Sequence, residues 1–217
     1  MDKTLQTISE NMINRYSERY QRLGYDVKSL GWGSTEQQEY RFSQTLDIAS
    51  DFSDKHVLDI GCGFGDYYKF LKKSGAAPKT YTGYDLNPDL INEAKKQYAS
   101  DEHVNFDVAN ILETAADEPQ ADIVAMFGVL NLNLAGKVDN YEYSHKIIKN
   151  AFSFTKECLI IDFLSAVLDP AYPKEDFVFY HDPLKMLEFA LELSPKVALK
   201  QDYLSIPQRE FMLFIYK

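Results

Sequence analysis

The sequence has few of the residues from which proteins build disulfide frameworks and metal centres. Its 217 residues include two cysteines, Cys62 and Cys158, and four scattered histidines. Two cysteines exclude a disulfide framework, and no spacing among these residues is typical of a zinc site. We therefore expect two reduced thiols, which favours a cytoplasmic protein, and we expect no metal ion.

Long apolar runs and an excess of positive charge are also lacking. No apolar run approaches the roughly 18 residues needed to cross a membrane, and residues 1–4 lack the apolar core of a signal peptide. Aspartate and glutamate number 33 against 23 lysines and arginines, which gives a net charge of −10. Because that charge repels a phosphate backbone on average, we expect neither a membrane nor a nucleic acid as partner.

What the chain does contain is a regular alternation of strand and helix patterns. In residues 1–54 the apolar spacing predicts two helices, over 4–23 and about 34–50, which form an N-terminal helical cap. Residues 55–217 form the second predicted domain. Its predicted strands are 55–60, 80–85, 103–108, 121–127, 157–164, 196–204 and 210–217, and its predicted helices are 66–74, 88–99, 138–152 and 182–193.

Repeated strand–helix–strand units predict a doubly wound α/β fold with a mostly parallel sheet. Only residues 205–209 join the last two predicted strands, and five residues are too few for a parallel crossover. The predicted fold is therefore Rossmann-like, with a seven-stranded, mostly parallel sheet that ends in a C-terminal antiparallel hairpin. The usual dinucleotide-binding sheet is wholly parallel, so this hairpin favours a different family.

The most informative segment is the glycine-rich loop of residues 61–65, which follows the apolar strand. Glycine occupies positions 61, 63 and 65, and Asp59 lies two residues before the first glycine. Glycines allow a sharp turn and let a ligand come close to main-chain N–H groups. A dinucleotide loop reads G-x-G-x-x-G, but here Asp66 takes the place of its third glycine.

This segment resembles the first motif of the class I S-adenosylmethionine-dependent methyltransferases, in which an acid and any residue precede G-x-G-x-G. The resemblance implies S-adenosylmethionine as cofactor and the seven-stranded fold described above. It also implies that the cofactor is bound by Asp59, which precedes the loop, and by the loop residues Gly61, Cys62, Gly63 and Gly65.

Polar residues at the ends of the next two strands are candidates for binding the adenosine. Asp85, followed by Leu86, ends the second strand, and its carboxylate can accept both hydroxyls of a ribose. An acid there serves NAD equally well. The family usually has an acid just past the third strand, and this acid bonds the adenine amino group. In this sequence the register places that position at Asn110, beside Ile111, and Asp107 is the alternative.

Three further residues are expected near the cofactor. Phe127, at the end of the fourth strand, matches the family position beneath the sulfur and the methionine arm of the cofactor. The sequence there, Met-Phe-Gly-Val, differs from the Asn/Asp-Pro-Pro-Tyr/Phe motif of enzymes that methylate base amines, which argues against that class of acceptor. Arg41 can form a bidentate ion pair with the cofactor's carboxylate, and Trp32 can cover the cofactor or the substrate. The alternative is a surface arginine and a packed tryptophan.

The long segment of residues 165–183 is rich in aromatic residues and is expected to shape the acceptor site. His181 within it is a candidate general base, because its reference pKa suits proton removal near neutrality. His181-Asp182-Pro183 is equally compatible with a simple helix start. Tyr16 and Tyr20, one turn apart on the first helix, are interpreted as core aromatics.

These features predict an enzyme that transfers a methyl group from S-adenosylmethionine to an oxygen or nitrogen atom of a small molecule. Two alternatives stay open, a nicotinamide-dependent oxidoreductase and a cofactor-binding module without turnover. The sequence does not indicate the acceptor, the oligomeric state or the pathway.

Overall fold

The structure, a computed structural model, describes residues 3–47 and 51–217. The helices within these ranges are α1 Lys3–Leu23, α2 Thr35–Ser43, α3 Asp66–Lys73, α4 Pro88–Gln97, α5 Asn140–Phe154 and α6 Pro183–Leu193, with a short 3₁₀ helix at Val27–Leu30. The strands are β1 His56–Ile60, β2 Thr80–Asp85, β3 Val104–Val108, β4 Ala121–Met126, β5 Thr155–Leu164, β6 Val197–Lys200 and β7 Glu210–Tyr216.

The strands of the described residues form a seven-stranded sheet in the order β3-β2-β1-β4-β5-β7-β6. β1, β2 and β3 pair in parallel, as do β4 and β5. β7 pairs antiparallel with both β5 and β6. The predicted fold, a mostly parallel sheet with a C-terminal antiparallel hairpin, is confirmed.

The chain divides into two units, Met1–Thr114 and Ala115–Lys217. The first unit contains α1 to α4 and β1 to β3, and the second contains β4 to β7, α5 and α6. The predicted boundary between residues 54 and 55, which separates a helical cap from a catalytic domain, stays a prediction.

Local sequence signals explain where the helices of the first unit begin. Asn87 caps α4 by accepting hydrogen bonds from the N–H groups of Asp89 and Leu90, and Pro88 occupies the first helical position. Proline is favoured there because its missing N–H would have no helical partner. Ser34 caps α2 through the N–H of Gln37.

The second unit is built around β5, whose central residues, 158–163, are all buried. A continuous apolar run is expected for a strand that is covered on both faces. The rings of Phe163 on β5 and Phe211 on β7 stack with centroids 4.9 Å apart. Asp182 caps α6 through the N–H groups of Leu184 and Lys185.

Two predicted elements are shorter in the structure by more than two residues. α2 ends at Ser43 instead of about residue 50, and residues 48–50 lie outside the described residues. β6 ends at Lys200 instead of residue 204, so the hairpin connection is longer than predicted although the pairing is still antiparallel. No helix in the described ranges is both long enough and apolar enough to cross a membrane.

Candidate functional site

The glycine-rich loop requires glycine for both conformational and steric reasons. Gly61, Gly63 and Gly65 have φ values of 76°, 55° and 80°, in the left-handed region that other residues rarely adopt. A Cβ atom on Gly65 would lie 2.7 Å from the ring of Phe106, and one on Gly63 would lie 2.8 Å from the side chain of Leu30. The loop leads directly into α3, which begins at Asp66.

The N–H groups of this loop are largely used within the protein. Those of Gly61 and Cys62 donate to the carbonyl of Tyr84, at 2.7 and 3.0 Å, and that of Gly65 donates to the carbonyl of Cys62 at 2.9 Å. These three donors are therefore occupied within the protein. Because a pyrophosphate is bound by such donors, this arrangement argues against a dinucleotide loop.

Asp85 lies at the carboxyl end of β2 and is bonded to the glycine-rich loop. Its Oδ2 accepts the N–H of Gly63 at 2.9 Å, and its Oδ1 accepts the N–H of Asn87 at 2.8 Å. Burial raises the pKa of the Asp85 carboxyl, and these backbone hydrogen bonds oppose that rise. A carboxylate offers about four acceptor sites, so the group can still accept ribose hydroxyls beside these backbone donors. Leu86, the next residue, is half-buried.

Asp59 lies in the interior beneath the same loop. Its carboxylate is 3% exposed and accepts a hydrogen bond from the hydroxyl of Tyr81. Burial raises the pKa of Asp59 to about 7, the Tyr81 hydrogen bond opposes the rise, and the charges of Asp85 and Asp66 add to it. Burial likewise raises the pKa of the Cys62 thiol. These side chains therefore support the loop from inside, and sequence reasoning missed the part played by Tyr81.

The structure separates the two candidates for the adenine edge. Asp107 is exposed on β3, where it pairs with Lys95 at 3.5 Å and accepts the side-chain amide of Asn105 at 2.7 Å. Asn110 follows the strand end, and its Nδ2 donates to Glu113 at 2.6 Å. Ile111 beside it is buried. This placement favours Asn110, as the family register predicts.

Arg41 is buried, which excludes the surface alternative. Its guanidinium lies 4.9 Å from the centroid of the half-buried Trp32 ring, and its Nη1 donates to the carbonyl of Gln37 at 2.9 Å. Gln38 and Tyr25 donate to the carboxylate of Asp66, at 3.3 and 3.4 Å. The segment from Tyr25 to Arg41 therefore packs against the start of α3.

A cavity of about 380 Å³ lies between this segment and α3. Its walls include Tyr25, Ser34, Gln38, Asp66 and Lys69. The polar lining and the adjacent glycine-rich loop make it a candidate extension of the cofactor site.

In the second unit, Phe127 and Gly128 follow β4. Phe127 is buried, and the N–H of Gly128 donates to Oδ1 of Asp162 at 2.6 Å. Asp162, a buried acid on β5, fixes the chain direction after β4. Sequence reasoning missed this residue because it lies within an apolar strand pattern.

His181 is enclosed within the second unit. Its side chain is 0% exposed, its Nε2 lies 3.0 Å from the hydroxyl of Ser144, and the rings of Phe163 and Phe179 each lie 4.8 Å from its own. Burial lowers the pKa of His181 to about 3, with a further contribution from His145. Such a weak, enclosed base is poorly suited to proton removal, so these observations disfavour the predicted catalytic role.

Comparison with known proteins supports the resemblance that the glycine-rich loop suggested. A family model described as a methyltransferase domain matches residues 57–151, which include the glycine-rich loop, Asp85 and Asn110. The fold resembles magnesium protoporphyrin IX methyltransferase from Synechocystis with bound S-adenosylhomocysteine, with a TM-score of 0.66 and 14% identity over 100% of both chains. Residues 57–151 thus match a methyltransferase domain, and the fold of the chain is that of the class I S-adenosylmethionine-dependent methyltransferases.

Two curated methyltransferases share shorter segments with this chain. A fatty-acid O-methyltransferase from Mycolicibacterium smegmatis is 41% identical over 49 residues, which are 23% of this chain and 18% of the relative. A ubiquinone biosynthesis O-methyltransferase from Coxiella burnetii is 34% identical over 77 residues, 35% of this chain and 32% of the relative. The chain thus matches a third or less of the length of these relatives.

A second solved structure extends the likeness in fold. The N-methyltransferase NodS from Bradyrhizobium japonicum, in complex with S-adenosylhomocysteine, has a TM-score of 0.65 and 15% identity, covering 94% of this chain and 98% of its own. Two neighbours of the same fold thus contain the demethylated cofactor. The domain match and these neighbours support the predicted methyltransferase class and its cofactor S-adenosylmethionine, and they give no support to the nicotinamide alternative.

Proposed function

We propose that this protein transfers a methyl group from S-adenosylmethionine to an oxygen or nitrogen atom of a small-molecule acceptor. The observation that carries the proposal is the bond between Asp85 and the glycine-rich loop. The N–H of Gly63 fixes Oδ2 of Asp85 at 2.9 Å, so the ribose-accepting carboxylate and the loop form one rigid binding surface. The other loop donors named above are occupied, which suits a ligand without phosphates.

Each residue of the site has a proposed role. Asp85 accepts hydrogen bonds from the ribose hydroxyls, and Asn110 forms hydrogen bonds with an adenine edge through its amide. Arg41 forms a bidentate ion pair with the methionine carboxylate. Trp32 orients Arg41 by lying against its guanidinium. The backbone and apolar contacts with the cofactor come from Gly61, Cys62, Gly63, Gly65, Leu86, Ile111 and Phe127, while Asp59 supports the loop from below.

The protein's contribution to the reaction is positioning. When bound, S-adenosylmethionine supplies a methyl group that is electrophilic because it is attached to a sulfonium. The chain has to hold the acceptor atom in line with the breaking sulfur–carbon bond, and such alignment can supply roughly 7–11 kcal/mol of the barrier. A general base is needed only when the acceptor must lose its proton early, so the proposal requires no catalytic role for His181.

A small-molecule acceptor is supported by charge and by the relatives. The net charge of −10 opposes a phosphate backbone. The curated relatives described above are named as O-methyltransferases, which favours oxygen as the accepting atom. The cytoplasmic location inferred from two unpaired cysteines is part of the same proposal.

Thermal unfolding with added ligands tests the cofactor assignment. The melting temperature is compared without ligand, with S-adenosylhomocysteine and with NAD. A ligand at about 100 times its dissociation constant stabilises the folded protein by roughly 2.7 kcal/mol. We expect a rise with S-adenosylhomocysteine and none with NAD, whereas a rise with NAD alone would overturn the proposal.

Turnover needs a separate experiment. The protein is incubated with S-adenosylmethionine labelled in its methyl group and with fractionated small-molecule extracts. We expect label to appear in a small molecule and to depend on Asp85. If S-adenosylhomocysteine binds but no acceptor becomes labelled, the chain is a cofactor-binding module without turnover.

A further inference from the structure

One face of α1 lies across the ends of the two strands that carry the adenosine-binding candidates. Nδ2 of Asn87, two residues after Asp85, donates to the carbonyl of Ile13 at 2.9 Å and to the hydroxyl of Ser17 at 3.0 Å. One turn earlier on the helix, the hydroxyl of Ser9 lies 3.5 Å from Nδ2 of Asn110. Positions 9, 13 and 17 are separated by four residues each, so they share one helix face.

Tyr16 belongs to the same face, three residues after Ile13 and next to Ser17. Its side chain is half-buried. Burial raises the pKa of Tyr16, the charges of Arg15 and Arg19 oppose the rise, and the charge of Asp85 adds to it. The phenol is therefore un-ionised at neutral pH and lies within electrostatic reach of the Asp85 carboxylate.

We propose that α1 is the roof of the adenosine subsite and that Tyr16 is a further cofactor-binding residue. The hydroxyl of Tyr16 forms a hydrogen bond with the ribose, whose hydroxyl groups donate to Asp85 on the opposite side. A phenol can both donate to and accept from sugar hydroxyls. Its ring can also cover apolar surface of the nucleoside. The inference rests on the proposed cofactor site and adds a residue that the glycine motif does not contain.

Tyr20, one turn further along α1, provides a matched control. Its hydroxyl donates to Oε2 of Glu93 on α4 at 2.8 Å, and its ring lies 5.7 Å from that of Phe64. The hydroxyl of Tyr20 is therefore engaged with α4. Replacement of either tyrosine by phenylalanine removes one hydroxyl from the same helix and keeps the ring.

The test compares Tyr16→Phe with Tyr20→Phe by isothermal titration with S-adenosylhomocysteine and with adenosine. Because a single hydrogen bond contributes modestly to binding, we expect Tyr16→Phe to weaken both ligands about three- to tenfold. Tyr20→Phe should leave both affinities within about twofold of the wild type. Equal affinity of Tyr16→Phe and wild type for both ligands would refute the role of Tyr16.

Hydrogen exchange of the wild-type chain keeps the inference testable if a variant folds poorly. We expect S-adenosylhomocysteine to slow amide exchange in residues 9–20, because the ligand fastens α1 to the strand ends. Unchanged amide exchange in α1, together with slower exchange in the glycine-rich loop, would contradict the proposal that α1 covers the adenosine subsite. The proposed function would then still stand. Absence of any binding by the wild type refutes the proposed function first, and the inference with it.

Discussion

The carboxylates around the glycine-rich loop of the first unit and the imidazole of His181 in the second unit are both buried, but in different surroundings. In the first unit, the carboxylates of Asp59, Asp66 and Asp85 surround one glycine-rich loop, and each accepts hydrogen bonds from named donors. Burial raises the pKa of all three. In the second unit, aromatic rings enclose the neutral His181. A cluster of carboxylates held close together costs stability and is typical of a binding site, whereas an enclosed neutral imidazole is typical of a core.

The largest effect is expected from crowding the glycine-rich loop. Gly65→Ala adds a Cβ that would lie 2.7 Å from the buried ring of Phe106, at a φ of 80°. Strain and overpacking together should lower the free energy of unfolding by about 2–5 kcal/mol and weaken S-adenosylhomocysteine binding. Thermal unfolding and titration calorimetry measure both.

Gly75→Ala is the control for that substitution. Gly75 also has a positive φ, 76°, but nothing lies within 4 Å of its added Cβ. It should cost only the backbone term, about 1–2 kcal/mol, and leave ligand affinity unchanged. Equal losses of stability and affinity in the two variants would mean that the tight packing of the loop has no part in the site.

The next largest effect is expected at the ribose-binding acid. Asp85→Ala removes a charged acceptor of two hydroxyls and should weaken S-adenosylhomocysteine binding about 100-fold, since hydrogen bonds to charged groups contribute about 1.5–3 kcal/mol. Asp107→Ala removes an exposed acid from the neighbouring strand and should change affinity less than twofold. A larger loss of affinity in Asp107→Ala than in Asp85→Ala would mean that the adenosine contacts lie on β3.

A smaller effect is expected in the pH dependence of stability, through Asp59. The folded-state pKa of about 7 lies above the ordinary value, so the folded protein binds more protons than the unfolded chain. Stability is therefore highest below pH 4 for this group and falls as the pH rises towards 7. Asp59→Asn should reduce the loss of stability between pH 5 and pH 8 by about 2 kcal/mol.

The control for this substitution is Asp54→Asn, which makes the same chemical change at a side chain that is 76% exposed. The residual slope in Asp59→Asn is expected to come from Asp66 and Asp85, whose pKa values are also raised. A slope identical to that of the wild type would show that Asp59 is not the titrating group.

The smallest effect on activity is expected at His181. Because this imidazole is enclosed and its pKa is lowered to about 3, His181→Gln should lower the melting temperature but change kcat less than about threefold. Removal of a general base typically costs 10²–10⁴-fold. A loss of that size with an intact fold would restore the catalytic role that the sequence suggested and place chemistry in the second unit.

Much of the first unit follows from local sequence signals. The three positive-φ glycines, the cap at Asn87 and the acid at the end of β2 are determined by residues that are close in sequence, so turn and capping rules predict them. The antiparallel hairpin follows from a connection too short for a crossover. The glycines, the cap and the acid also lie within residues 57–151, which the family model matches, whereas the hairpin lies outside that range.

The remaining features depend on contacts between distant residues. The pairing of Tyr81 with Asp59 joins β2 to β1, and the position of α1 over Asn87 spans 74 residues of sequence. The burial of His181 depends on the rings of Tyr141 and Phe163 from two other segments as well as on the nearby Phe179, so neither its spacing nor its reference pKa could predict it. The acceptor region has no comparable short motif, which is why its chemistry is proposed from charge and relatives.

A crystal structure of the protein with S-adenosylhomocysteine tests the central claim most directly. The account predicts both ribose hydroxyls within about 3.2 Å of the Asp85 carboxylate, with the nucleoside passing over the glycine-rich loop. A ribose bound elsewhere, or a ligand held without contact to Asp85, would contradict it.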